Sequence, residues 1–250
     1  WSSDVCSSDL NFRSTDGIIS LSDRVIKNKM PLQNEQVKIH KISGIQTKSL
    51  IMSIAERIDF TSERNQIICP TKTTTYGTVE INRVIQQKFN KNREKITIYH
   101  HDRHIDKTTS ISFKRGDKIL WTKNDYNLNL INGTLGTILD FDEESGDIAI
   151  NADGRDISIP AKMKTFNPTT GEAYYYDPRL QLDLGYAIST HKSQGSQFDN
   201  VLFVLSRSRA ASRQNVYTAV TRAKFKIEII NIANALSFAL DNLVNIYAKN

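Results

Sequence analysis

The sequence predicts an α/β domain built on a parallel sheet and interrupted by a small all-β insertion. Three observations predict it. Val201-Leu-Phe-Val-Leu205 is an unbroken apolar run of the kind that parallel strands buried on both faces require. Gln66–Cys69, closed by Pro70, is a second short apolar run, and the helical spacing of Ile81, Val84, Ile85 and Phe89 follows it, so strand, loop and helix come in α/β order. Between residues 112 and 181 that pattern gives way to short alternating segments separated by Asn-Gly, Ser-Gly and Asp-Gly turns.

Each element can be justified in order. Residues 1–10 repeat Ser-Ser-Asp and show neither helical nor strand period. They read as a translated sequencing adapter, a non-native scar outside the fold, and the natural protein is expected to extend upstream of residue 11. Ser14, Thr15 and Asp16 offer helix caps ahead of Ile18, Leu21 and Val25, and Pro31 closes a helix over 14–28. Leu50, Ile54 and Ile58 mark a second helix over 49–59, and Ile81–Phe89 a third. Phe113–Trp121 alternates as a strand, with a hairpin turn at Asn132-Gly133 and a strand at Gly136–Leu139. Ser145-Gly146 and Asp153-Gly154 then set off strands at Ile148–Ile150 and Ile157–Ile159. Strands at this spacing predict a small β-barrel. After Leu184 the α/β pattern resumes. Ala187–Ser189 leads into a loop, residues 214–224 read as a helix, and Lys226–Ile230 as a strand. Leu236, Leu240, Leu243, Val244 and Tyr247 form one face of a final helix. The α/β domain therefore comprises residues 11–111 and 182–250, with the barrel inserted at 112–181.

Composition narrows the function classes. The chain has 250 residues, 39% apolar and 24% charged, as an ordinary folded protein would. Its net charge of +6 permits nucleic-acid binding without demonstrating it. Cys6 and Cys69 are the two cysteines, too few for a disulfide framework or a cysteine-rich zinc site, which points to a cytoplasmic setting. No apolar run is long enough to span a bilayer, and no signal-peptide pattern opens the chain. His100, His101 and His104 are spaced like metal ligands, but no further Cys or His completes a site, so they read as a solvated loop and no metal is expected.

Two stretches carry chemistry. His191-Lys-Ser-Gln-Gly195 is a polar loop at the carboxyl end of a strand, where open α/β sheets place ligands. Lys192 can meet a phosphate, His191 and Ser193 can hydrogen-bond a backbone, and Gly195 lets a chain approach closely. An ordinary polar turn explains the same residues. In Val216-Tyr-Thr-Ala-Val-Thr-Arg-Ala-Lys224, a helix would turn Val216, Ala219, Val220 and Ala223 to the core and leave Arg222 as an exposed cation on a rigid element. Such a cation suits charge developing on a transferring phosphoryl group, although most single arginines are plain surface residues. Arg207, Arg209 and Arg213 follow a strand and suit either DNA phosphates or a solvated loop.

Thr190-His-Lys-Ser-Gln-Gly195, then a hydrophobic strand, then Tyr217-Thr-Ala-Val-Thr-Arg-Ala-Lys224 resembles motifs V and VI of superfamily 1 DNA helicases, nearest the RecD-like, TraI-like branch that moves 5′ to 3′. Leu10-Asn-Phe-Arg-Ser-Thr15 resembles motif IV of the UvrD-like family, and Ile67-Ile-Cys-Pro-Thr-Lys72 resembles the DNA-facing loop of RecD-like enzymes. Phe113–Asp117 and Asn132-Gly133 resemble the SH3-like barrel inserted in the second motor domain of that branch. The resemblance implies a RecA-like second motor domain of the P-loop NTPase type. It implies Arg222 as an arginine finger and Arg13 as a γ-phosphate contact, with Gln194, Gly195 and Gln197 on the nucleotide side. His191, Lys192, Ser193, Thr71 and Lys72 would contact single-stranded DNA, and the protein would work as a monomer.

The sequence departs from the family in two ways. Motif V usually reads Gly-x-Glu-Phe, with the glutamate on the nucleotide ribose, and here Gln197 stands in that place. No Gly-x-x-x-x-Gly-Lys-Ser/Thr loop and no Asp-Glu strand end for magnesium occur in the chain. In this family both belong to the first motor domain. The chain is therefore expected to supply one wall of a site for ATP and Mg²⁺ and not to hydrolyse ATP alone. The competing reading is a stand-alone nucleic-acid-binding module without ATPase activity. It accounts for the charge and the absent P-loop but not for the combination of motifs.

Overall fold

A computed structural model describes residues 14–102, 107–167 and 169–242. In chain order the elements are α1 (Asp16–Ile26), β1 (Val37–Ile42), α2 (Thr47–Arg57), β2 (Asn65–Cys69) and α3 (Thr78–Phe89). Then come β3 (Ile96–Asp102), β4 (Lys107–Phe113), β5 (Lys118–Trp121), β6 (Leu135–Phe141), β7 (Ile148–Ala152) and β8 (Arg155–Ile159). They are followed by β9 (Met163–Phe166), β10 (Ala173–Tyr176), β11 (Leu182–Leu184) and β12 (Ala187–Ser189). The chain closes with β13 (Phe198–Leu205), α4 (Arg213–Val220), β14 (Ala223–Ile232) and α5 (Ala235–Asp241). The fold divides into two compact units. One holds the described residues up to Ile81 and from Ala187 onward, and the other holds those of Asn82–Tyr186.

The first unit is a five-stranded sheet in the order β1-β14-β13-β2-β12, and every neighbouring pair is parallel. The continuous apolar run at 201–205 is the reason β13 lies inside it. Val201, Leu202, Phe203, Val204 and Leu205 are all buried, as both faces of a covered parallel strand demand. Helix α1 turns Ile18, Leu21 and Val25 inward and packs on α4 and β14. Burying each such aliphatic side chain stabilises the fold by roughly 1.5–3 kcal/mol. Helix α2 buries Thr47, Ile51, Ile54 and Ala55, so its inner face is turned from the expected one, and Ile58 lies beyond its end in extended backbone. The helix expected over 214–224 stops at Val220. Ala223 pairs with Phe198 at the start of β14, and that long-range pairing ends the helix before Arg222. In the final helix Leu236 and Leu240 are buried, whereas Leu243, Val244 and Tyr247 lie outside the described residues.

The second unit contains the later turns of α3, the hairpin β3–β4, the hairpin β9–β10, and an antiparallel sheet in the order β11-β5-β6-β7-β8. That sheet is open, with β11 and β8 as its edges. The turn at Asp153-Gly154 joins β7 to β8 as expected, with φ of 52° and 71° at its two residues, the left-handed pair that a tight hairpin needs. Asn132-Gly133 is not a hairpin tip. It closes the long connection from Trp121 to Leu135, within which Asp125 and Leu130 form a bridge of their own. Asp117 is fully buried and accepts from Gln86 Nε2 (2.5 Å), Asn90 Nδ2 (2.6 Å), the Lys114 amide (2.7 Å) and Tyr186 Oη (2.8 Å). Those four donors replace the water such a carboxylate loses.

Candidate functional site

Because all five strands of the first unit run the same way, their carboxyl ends share one edge, where α/β folds gather ligand-binding loops. The loops after β2 and β12 are neighbours there. Ser189 pairs with Cys69 at the last position of both strands, and the Thr190 amide donates to Cys69 O at 3.0 Å. The bond joins residues 121 apart in sequence, and it brings the loop of Thr71 and Lys72 beside that of His191 and Lys192.

The loop after β2 is shaped from within. The amides of Thr78 and Val79, in the first turn of α3, donate to Thr71 O and Lys72 O at 3.1 Å each, filling donors that a helix start leaves open. Thr71 Oγ1 lies 2.7 Å from Thr74 Oγ1, and the Lys72 side chain is exposed. Gly77 is required for this arrangement, since a Cβ there would sit 2.5 Å from Lys72 O.

The 190–197 segment is a tight coil. Ser193 is fully buried, and its hydroxyl donates to Thr190 O at 2.8 Å while its amide donates to Ser189 O at 3.1 Å. The side chain expected to meet a strand therefore faces the interior, because closing the coil consumes it. His191 and Gln194 are exposed and Lys192 is half-buried. Gly195 has φ +85° and open space around its Cβ position, so its role is the left-handed backbone and not close approach.

The same segment then travels the length of the sheet. β12 ends level with Cys69, whereas β13 enters at the opposite edge, with Asn200 level with Asn65 and the Asp199 amide on Arg64 O at 2.6 Å. At that amino edge the segment meets Arg222. The guanidinium donates through Nη1 to Ser196 O (3.0 Å), through Nε to Thr218 O (3.2 Å) and through Nη2 to Thr221 Oγ1 (3.0 Å). The Arg222 carbonyl accepts from the Phe198 amide at 2.8 Å. Arg222 is therefore a half-buried residue of the turn after α4, not an exposed side chain on a helix. These three contacts are to neutral acceptors, and they orient the guanidinium.

Arg13 lies outside the described residues, but its neighbours are fixed next to Arg222. Ser14 Oγ donates to Ala223 O (2.8 Å) and the Thr15 amide to Lys224 O (3.0 Å). Of the later arginines, Arg207 stacks on Phe238 with its guanidinium 4.9 Å from the ring centre, and Arg213 Nε donates to Leu240 O near the end of α5. Arg209 is exposed. Cys69 is buried, and that burial pushes its thiol far above the ordinary range, so it is not a nucleophile. His100 lies in β3, opposite Thr109, and His104 lies outside the described residues. Among the described residues no group of three His, Cys, Asp or Glu side chains is placed to hold a metal, and no helix is long and apolar enough to cross a membrane. Thr190, Ser196 and Thr218 carry no side-chain signal for these roles in the sequence. Each acts through a backbone carbonyl, which no side-chain pattern announces.

Comparison with known proteins bears out the resemblance. The UvrD-like helicase C-terminal domain family matches residues 184–229. The ATP-dependent RecD2 DNA helicase of Deinococcus radiodurans is 30% identical over 176 residues, covering 70% of this chain and 21% of that protein. The RecBCD enzyme subunit RecD of Mycobacterium tuberculosis is 34% identical over 118 residues, covering 46% of this chain and 18% of that protein. The chain thus spans about a fifth of the length of these curated relatives. Among solved structures, a Pif1 helicase from Bacteroides in complex with ADP-AlF3 and ssDNA shares the fold, with a TM-score of 0.55 at 18% identity over 87% of this chain and 50% of that one. Pif1 helicase from Candida albicans aligns with a TM-score of 0.53 at 14% identity, over 90% of this chain and 56% of that one.

Proposed function

We propose that this chain, similar in sequence and fold to the C-terminal part of superfamily 1 DNA helicases, is the second motor domain of an ATP-driven DNA helicase that moves 5′ to 3′. In this reading a first motor domain upstream supplies the P-loop and the magnesium site, and bound ATP supplies the energy of each step. Arg222 acts as the arginine finger, Arg13 contacts the γ-phosphate, and Gln194, Gly195 and Gln197 complete the nucleotide side. Thr71, Lys72, His191 and Lys192 hold the phosphates of a single strand, largely without regard to sequence. Ser193 serves from inside the loop by fixing Thr190. The 112–181 insertion serves as the SH3-like element that clamps DNA near the duplex junction.

The observation that carries the reading is the course of residues 190–197. One short segment starts beside Thr71 and Lys72 at the carboxyl edge and ends on the Arg222 guanidinium at the amino edge. A change in what Arg222 touches is thereby delivered to the loop that grips the strand. The anchoring of Ser14 and Thr15 beside Arg222 supports Arg13 and Arg222 as a pair of cations serving one anion.

The test is Arg222→Ala in a protein that carries the upstream motor domain in frame. Turnover of ATP should fall roughly 10³-fold or more while nucleotide binding persists, as for removal of an arginine finger. Near-normal turnover would sink the proposal.

A further inference from the structure

Hairpin β9–β10 carries aromatic surface that its fold does not use. Phe166 is 61% exposed and Tyr175 60% exposed. The strand register sorts its two faces. Lys164 lies opposite Tyr175 and Phe166 opposite Ala173, and these pairs share one face. Met163 opposite Tyr176 and Thr165 opposite Tyr174 share the other. The second face is anchored, because Tyr176 Oη donates to Asp125 Oδ2 at 2.6 Å and lies 3.1 Å from Met163 Sδ. Among the described residues, the first face makes no such bond. On it, Lys162 Nζ sits 4.4 Å from the centre of the Tyr175 ring and Lys164 Nζ sits 5.7 Å from the centre of the Phe166 ring. Asp177, next along the strand beyond Tyr176, has its carboxylate engaged by Arg179 through both oxygens, so it does not neutralise the lysines.

Two ammonium groups beside two exposed rings on one face match a ligand that carries both anions and flat π surfaces. We infer that the outer face of hairpin β9–β10 is a stacking platform for single-stranded DNA. Tyr175 and Phe166 take successive bases, and Lys162 and Lys164 take the phosphate between them and the one that flanks it. Exposed lysine–ring pairing is weak, so a base displaces the ammonium from the ring face at little cost and the ammonium swings to the neighbouring phosphate. The lysines keep the two-stranded hairpin soluble until then, as charged edges do. Phe166 and Tyr175 are diagonal neighbours, about 7–8 Å apart by strand geometry, a spacing that bases splayed along one strand can meet. This inference rests on the reading of the protein as one that handles single-stranded DNA, and it assigns residues and a mode of contact to the DNA clamp proposed for the 112–181 insertion.

The experiment measures binding of the full chain to a fluorescent twenty-nucleotide oligo(dT) and to an abasic strand of equal length, across a salt series. Phe166→Ala with Tyr175→Ala should weaken oligo(dT) binding roughly tenfold or more and leave the abasic strand unaffected. Lys162→Gln with Lys164→Gln should weaken both ligands and flatten the salt slope by about 1.4. All these side chains are exposed, and unchanged thermal melting of both variants confirms that the fold is intact. If the double aromatic variant binds oligo(dT) like the parent while Lys192→Ala loses affinity, the platform is overturned and the motor reading stands. Equal loss on oligo(dT) and abasic strand also overturns it. If the parent chain binds neither ligand, both readings fall.

Discussion

The phenol of Tyr186 donates to Oδ1 of Asp117 at 2.8 Å, inside the β-rich unit and away from water. Asp117 also holds Gln86 of α3 and Asn90 just beyond its end, so one carboxylate ties that helix to the strands. Asp117→Ala strands several buried donors and is expected to cost about 3–5 kcal/mol, read as a drop in the urea midpoint. Tyr186→Phe removes one donor of four, and about 1.5–3 kcal/mol is expected.

Burial, and then the charge of Asp117, pushes the Tyr186 phenol well above its ordinary range. The stability this confers is fully present below the unfolded pKa of about 10 and is lost as pH rises past it, at about 1.4 kcal/mol per pH unit. Unfolding free energy should therefore fall on the alkaline side, and Tyr186→Phe should flatten that limb. An identical alkaline slope in the variant would show that another group controls it.

Lys192 and Ser193 are adjacent in sequence and opposite in kind. Lys192→Ala should weaken single-strand binding and lower the salt slope by about 0.7. Ser193→Ala should leave the slope unchanged and lower stability by about 0.5–1.5 kcal/mol, because its hydroxyl is spent on Thr190. A salt titration paired with a melting curve separates the two.

Gly77→Ala places a methyl 2.5 Å from the Lys72 carbonyl, which is backbone and cannot step aside. The loop that presents Thr71 and Lys72 must shift. Strand affinity should drop several-fold, with stability lowered by about 1–3 kcal/mol. Anisotropy and thermal melting together check this. Full affinity would mean that the loop after β2 does not touch DNA.

Gln197→Glu restores the family pattern. In a protein with the upstream motor domain, nucleotide affinity should rise a few-fold, since a charged acceptor roughly doubles the strength of a hydrogen bond. Nucleotide titration measures it, and unchanged affinity would remove Gln197 from the nucleotide side.

The parallel core was legible wherever burial alone dictates a residue. Val201–Leu205 and Ile67–Cys69 need no partner to be recognised, because an unbroken apolar run has few other places to go. Features decided by distant pairing were not legible. The end of α4 depends on Phe198 claiming Ala223, and the inward turn of Ser193 depends on Thr190 docking on Cys69. The Asn132-Gly133 pair looks like a hairpin tip locally, but the Asp125–Leu130 bridge absorbs the turning. Lys162, Lys164, Phe166 and Tyr175 gave no signal, because their meaning lies in which face of a hairpin they share.

The segment from Thr190 to Gln197 also carries a specification of length. It joins parallel strands that usually need a longer crossover, and it is pinned at both ends, to Cys69 and beneath Arg222. Surface connections ordinarily accept an extra residue at small entropic cost. This one is wound on its own bonds, Ser193 to Ser189 and Thr190, and Ser196 to Ser193, so an extra residue must break the coil. An inserted glycine after Gln194 would leave every side chain in place and yet disconnect the two edges of the sheet mechanically, much as a lengthened pushrod idles a valve.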